Sequence, residues 1–264
     1  MAHNTTLSTS ARLLCCLGPP SVVITTYNCL SPKTAAISPL TLIPTAWAYK
    51  KWRDANNADS SRRAPLEGLV WTYVLTATLG VATVSALQAA VAFGLATLLY
   101  GNGEARSFLI QEAMRSTVVD VSPEILTRRA EVASSFRYMA LVCSIFFTTA
   151  GLGEELLKFL PIIWARRSGT PEERKPRDRA YLDYAISAAL SFGVVEGIGF
   201  LHTACVTGKE TGAKLALSVV ERLGLGSTGH VLMAVLTALR AIRKDYYQDR
   251  LSWWQVLGPS VFVQ

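Results

Sequence analysis

The sequence predicts an all-α fold, a polytopic transmembrane helix bundle of about six spans. Three observations predict it. Of 264 residues, 50% are hydrophobic and only 17% are charged, against about 25% charge in a typical soluble domain. The apolar residues gather into long runs, and residues 68–100 contain no charged side chain, where about 20 apolar residues suffice to cross a bilayer core. The basic residues behind the net charge of +7 fall in short gaps between those runs. A nucleic-acid partner would need them on one face of a folded domain. Their distribution therefore points away from nucleic acid and reports orientation in a lipid bilayer.

Residues 1–33 lack the basic start and unbroken apolar stretch of a cleaved signal peptide. They are expected to be a poorly ordered leader ahead of a single helical membrane domain, 34–264. Within that domain, apolar runs set against charged punctuation give spans at 34–49, 68–100, 138–164, 181–203, 228–242 and 251–264. The first is interrupted by Pro39 and Pro44, and it and the last two are short for a full crossing. As one helix, 68–100 would be about 50 Å long against a core of roughly 30 Å, which predicts a tilt or a kink near Gly80. The segment 101–137 carries charges of both signs and helical patterning at 108–114 and 125–132. It reads as an outer amphipathic segment.

Alternating the spans places 50–67, 165–180 and 240–250 on one side, with Lys/Arg to Asp/Glu at 5 to 3, 6 to 3 and 4 to 2. The other side receives 101–137 at 5 to 5 and 204–227 at 3 to 2. The consistently positive side is assigned to the cytosol. Five cysteines, Cys15, Cys16, Cys29, Cys143 and Cys205, show no CxxC spacing, so neither a zinc cage nor a disulfide framework is legible.

Charged groups inside a span cost at least about 2.5–3.5 kcal/mol each near its centre. The third span nevertheless carries Gly151-Leu152-Gly153-Glu154-Glu155-Leu156-Leu157-Lys158-Phe159, the fourth Phe192-Gly193-Val194-Val195-Glu196, and the fifth His230 near its start. Counted from the cytosolic ends, Glu154 lies about 15 Å deep, Glu196 about 22 Å and His230 about 18 Å. Three helices thus bring acids and an imidazole to nearly one level of the membrane. Glu154 and Lys158, four apart, can pair along one face, with Glu155 turned roughly 100° round the helix, so that lysine would neutralise one carboxylate while the other faces a water-filled cleft. Burial and a neighbouring cation act on a carboxyl group in opposite directions, a balance that can poise a glutamate as a base for water. Glycines 151, 153, 193, 197 and 199 permit close helix approach. At the ends of the fourth span, His202 is expected at the interface and Asp183 in solvent.

The series Glu154-Glu155-x-x-Lys158-Phe159, then Phe192-x-x-x-Glu196, then His230 at the head of an apolar helix, resembles the motifs of the PrsW family of polytopic intramembrane peptidases. That family is distantly similar to the CAAX-prenyl endopeptidases. The resemblance covers a peptidase-like core at about 138–242 and implies that Glu154, Glu155, Glu196 and His230 form the active site. By that resemblance Glu155 or Glu154 would be the general base on a water. Glu196 and His230 would hold the water, bind a metal or steady the oxyanion, and Lys158 would tune the acids. The implied substrate is another membrane protein. One departure is Gly197, where members often carry Asn after the second-motif glutamate.

Zinc is one cofactor the resemblance allows, with Glu155, Glu196 and His230 as ligands, since a hydrolytic zinc usually takes three protein ligands and a water. A metal-free glutamate and histidine mechanism stands beside it, because the chain has no HExxH and a thin supply of imidazole. No GxGD aspartate pair occurs, and Ser227 in Gly226-Ser227-Thr228-Gly229 lacks Gly-x-Ser-Gly spacing. Two other classes compete. A carboxylate-lined transporter or channel predicts ion flux that changes with Glu196 and no proteolysis. A non-catalytic scaffold of the same fold predicts that Glu154, Glu155 and His230 can be replaced without phenotype wherever packing is kept.

Overall fold

The computed structural model describes residues 7–58, 63–115, 121–167, 178–206, 212–247 and 249–263. All regular structure among them is helical: α1 (Thr9–Cys29), α2 (Pro32–Ile37), α3 (Ile43–Ala58), α4 (Leu66–Leu75), α5 (Val81–Tyr100), α6 (Glu104–Ala113), α7 (Pro123–Ala133), α8 (Phe136–Ile145), α9 (Glu154–Arg167), α10 (Asp178–Val206), α11 (Gly212–Glu221), α12 (Ser227–Tyr246) and α13 (Trp253–Val263). A 3-10 turn covers Ser38–Leu42, and π-helical segments cover Thr76–Gly80, Phe146–Gly153 and Arg222–Gly226. Local chemistry marks several starts. Ser8, Ser31, Ser122 and Ser135 each accept a hydrogen bond from the amide three residues on, at the heads of α1, α2, α7 and α8. Each cap satisfies an amide that a helix start leaves open.

Four helices are long and apolar enough to cross a membrane: Leu66–Tyr100, Phe136–Trp164, Asp178–Cys205 and Leu215–Tyr246. They correspond to the second to fifth expected spans and are those of an integral membrane protein by length and composition. The outer two expected spans differ. Residues 34–49 are divided among α2, the 3-10 turn and α3, with Pro39 inside the turn and Pro44 in the first turn of α3. Residues 251–264 hold only the 11-residue α13, short of the roughly 20 residues of a simple crossing. Much of the expected leader is helical, since α1 runs for 21 residues.

Packing divides the chain into two compact units, Met1–Val81 with Glu155–Gln264, and Ala82–Glu154, where the sequence reading takes 34–264 as one domain. In the first unit α10 is central. Its apolar window is 67% buried, against 33% for that of Leu215–Tyr246, and Ala185, Ser187, Ala188, Ala189 and Ser191 have no exposed surface. These small side chains let α4 and α12 approach closely. Ser187 Oγ donates to the Leu69 carbonyl at 2.9 Å and ties α10 to α4. Asp183, expected in solvent, is buried: Arg63 lies 3.5 Å from one carboxylate oxygen and the Ala64 amide donates to the other at 3.3 Å. These partners replace the water that a buried carboxylate loses.

The second unit, Ala82–Glu154, contains α5 to α8. Arg115 and Arg129 both donate to Glu112 of α6, while Arg128 lies 3.3 Å from Glu104 and stacks on Phe108. Shielding from solvent opposes the charge of Glu112, but hydrogen bonds from Arg129 and Arg115, together with their charges, outweigh it and hold the carboxyl below its usual range. The described part of 101–137 thus includes two short helices, α6 and α7, fastened by charge. Residues 116–120 lie outside the described residues.

Candidate active site

Three helices of the first unit supply the site, each through a periodic buried face. On α9, Glu155, Lys158, Phe159 and Ile162 are buried, at spacings of three, four and seven from Glu155, the pattern of one helix face. Leu156 and Leu160 point away and are 41% and 53% exposed. On α10, Phe192 and Glu196 stand one turn apart. On α12, the buried Ala234, Thr237, Ala238 and Ala241 continue the stripe that begins at His230.

The polar groups form a chain of contacts. Lys158 Nζ lies 2.8 Å from Glu155 Oε1 and 3.0 Å from His230 Nδ1, and His230 Nε2 lies 2.7 Å from Glu196 Oε2. Glu155 and Lys158 are essentially sealed from solvent, whereas the Glu196 side chain is 40% exposed. Glu155 Oε2 is buried with no hydrogen-bond partner among the described residues. Phe192 supports the chain from below, its ring 5.6 Å from the Lys158 ammonium and 6.5 Å from the His230 ring.

A narrow cleft opens on Glu196 and His230, lined also by Gly193, Gly197, Phe200 and Gly226. Its free interior has room for about one water molecule. The helix crossing that shapes it is tight: a Cβ on Gly193 would stand 3.2 Å from Ser227 Oγ and 3.4 Å from Ser227 Cα. Gly193 precedes Glu196 by three residues and Ser227 precedes His230 by three. The crossing thus lies one turn from both, and sets the short contact between them. α12 also begins directly after the π-helical segment Arg222–Gly226, a kind of irregularity often found beside functional sites.

The structure brings Glu155, Lys158, Glu196 and His230 together. Lys158 contacts Glu155, three residues back. Glu155 does not face a cleft; it is 0% exposed. Glu154 is the buried first residue of α9 and the last of the second unit. His202, expected at an interface, lies with Nδ1 3.4 Å from Thr34 Oγ1. Phe192, Gly193 and Ser227 are the contributors that sequence reasoning did not single out as site residues. Their signal is spacing: Phe192 is one turn before Glu196, and Gly193 and Ser227 share the same offset from Glu196 and His230. Neither protein-family models nor curated proteins nor solved structures gave a match to this chain.

Proposed function

We propose that this protein is an intramembrane peptidase that hydrolyses peptide bonds of membrane-associated proteins with a water activated by buried glutamate and histidine. The observation that carries the reading is the Glu196–His230 contact at 2.7 Å on the wall of a water-sized cleft, built from spans that otherwise carry few charges. Such groups are kept inside a span at a cost and mark function. Glu196 is the acid that opens on the cleft, which favours it over Glu155 as the base. It would take a proton from water as the oxygen attacks the scissile carbonyl carbon, and return it to the amine that leaves. His230 would orient Glu196 through the contact of its Nε2 with the carboxylate. The sequence motifs resembling the PrsW family support the peptidase reading, although they put Glu155 or Glu154 in the place of the base and Glu196 beside the water.

In the fuller topology of this proposal, 34–49 and 251–264 join the four long helices as shorter membrane-embedded pieces, and 50–67, 165–180 and 240–250 face the cytosol. Most of 165–180 lies outside the described residues, so its side rests on charge alone. Labelling of single cysteines in sealed vesicles tests this, with positions 51 and 244 on one face and 106 on the other. Labelling of all three from one face would overturn it.

For a zinc-assisted version, Glu155 is engaged by Lys158, which leaves Glu196 and His230 as donors in the first unit. Both ring nitrogens of His230 already have partners, and one of those is a cation. This donor set does not fit a histidine-ligated metal as folded, and no step is routed through one. The test is cleavage of a panel of single-span reporters by purified protein in liposomes. Loss of at least about 100-fold in rate is expected for Glu196→Gln and His230→Ala. Ion flux sensitive to Glu196, without cleavage, would favour a transporter.

A further inference from the structure

Lys158 is 1% exposed and lies 2.8 Å from Glu155, which is itself 0% exposed. A neutral lysine would leave that carboxylate buried without its cation, the costly state of a broken buried pair. Lys158 is therefore an ammonium, a group with three donors and no acceptor. The same Nζ stands 3.0 Å from His230 Nδ1, so Nδ1 accepts and carries no hydrogen. The ring hydrogen is then on Nε2, 2.7 Å from Glu196 Oε2, where it donates to a carboxylate.

We propose that Lys158, anchored by Glu155, is a positioning residue that fixes His230 as the Nε2–H tautomer and aims that hydrogen at Glu196. His230 then serves the site as a hydrogen-bond donor and not as a metal ligand. Its catalytic consequence rests on the peptidase reading; the tautomer itself does not. Phe192 reinforces the arrangement, because its ring face attracts the ammonium and restricts the imidazole beside it. Glu155 becomes the counter-ion of Lys158, which accounts for its complete burial away from the cleft.

The test is nitrogen-15 NMR of histidine-labelled full-length protein in lipid nanodiscs at neutral pH, with the His230 signals assigned by their loss in His230→Gln. The expected spectrum has an unprotonated, pyridine-type Nδ1 and a protonated, pyrrole-type Nε2, unchanged by stoichiometric zinc or by chelator. Lys158→Met is expected to release the ring toward the Nδ1–H form or a mixture, and Lys158→Arg to keep the wild-type pattern. An Nδ1–H or doubly protonated ring in the wild type would overturn the proposal, as would a zinc-induced shift of either nitrogen. The wild-type spectrum decides even where a variant does not fold. No substrate is involved, so failure of the tautomer and failure of the peptidase reading are separate results, the second read from reporter cleavage.

Discussion

At the residue scale, the site depends on a lysine and a glutamate that water does not reach. Removing one partner of a buried ion pair leaves an uncompensated charge and costs about 3–5 kcal/mol. Lys158→Met is therefore expected to lower thermal stability sharply, while adding Glu155→Gln recovers most of the loss, because an amide needs no cation. Thermal unfolding of the two variants in one detergent reads this directly. A double variant as unstable as Lys158→Met would contradict the pairing. Every member of the polar chain was legible in the sequence, because charge inside an apolar run is conspicuous. The pairing was not: residues three and four apart share a helix face equally well, and apolar positions do not mark the inner face of a span whose outer face is apolar too. Only Ile162 and Phe159, buried beside Lys158, show which way α9 turns.

At the scale of elements, the crossing of α10 and α12 determines whether Glu196 and His230 meet. Gly193→Val would drive a side chain into Ser227, an overpacking that costs about 1–3 kcal/mol. The expected outcome is loss of cleavage with both reacting side chains intact. Gly199, around which a Cβ would meet nothing within 4 Å, provides the control, and Gly199→Ala should retain activity. Equal activity in the two variants would show that the crossing does not set the site. The helix pair α6 and α7 carries a pH dependence. The folded carboxyl of Glu112 lies below its ordinary value, so its stabilisation is complete above about pH 4.3, the unfolded value, and is lost as pH falls through the depressed folded value. Hydrogen exchange over 101–137 should rise in that acid range, and Glu112→Gln should abolish the step. Helix identity in both regions was readable from apolar runs and from helical patterning at 108–114 and 125–132. The π-helical segments were not, because they arise from packing and leave no residue signature.

At the scale of the whole molecule, long apolar runs with few charges predicted the four helices long and apolar enough to cross a membrane, since the length a bilayer demands is printed in the sequence itself. The outer two expected spans are not among the four: Pro39, Pro44 and Pro259 sit in apolar stretches shorter than a simple crossing, and apolar content alone does not distinguish a span from a buried or interfacial helix. The separation into two units was also hidden, because their boundaries fall within two continuous apolar helices, near Val81 and Glu154. The proposed function rests on a chain of polar contacts drawn from three helices, with Glu196 and His230 at a cleft, which composition cannot show and motif spacing only suggests. The measurement that tests it most directly is reporter cleavage in oxygen-18 water by the wild type and Glu196→Gln in liposomes, with the product ends read by mass spectrometry. Hydrolysis at this site predicts one oxygen-18 in each new C-terminal carboxylate and no products from Glu196→Gln. Full cleavage by Glu196→Gln, or no cleavage by a well-folded wild type across the panel, would contradict it.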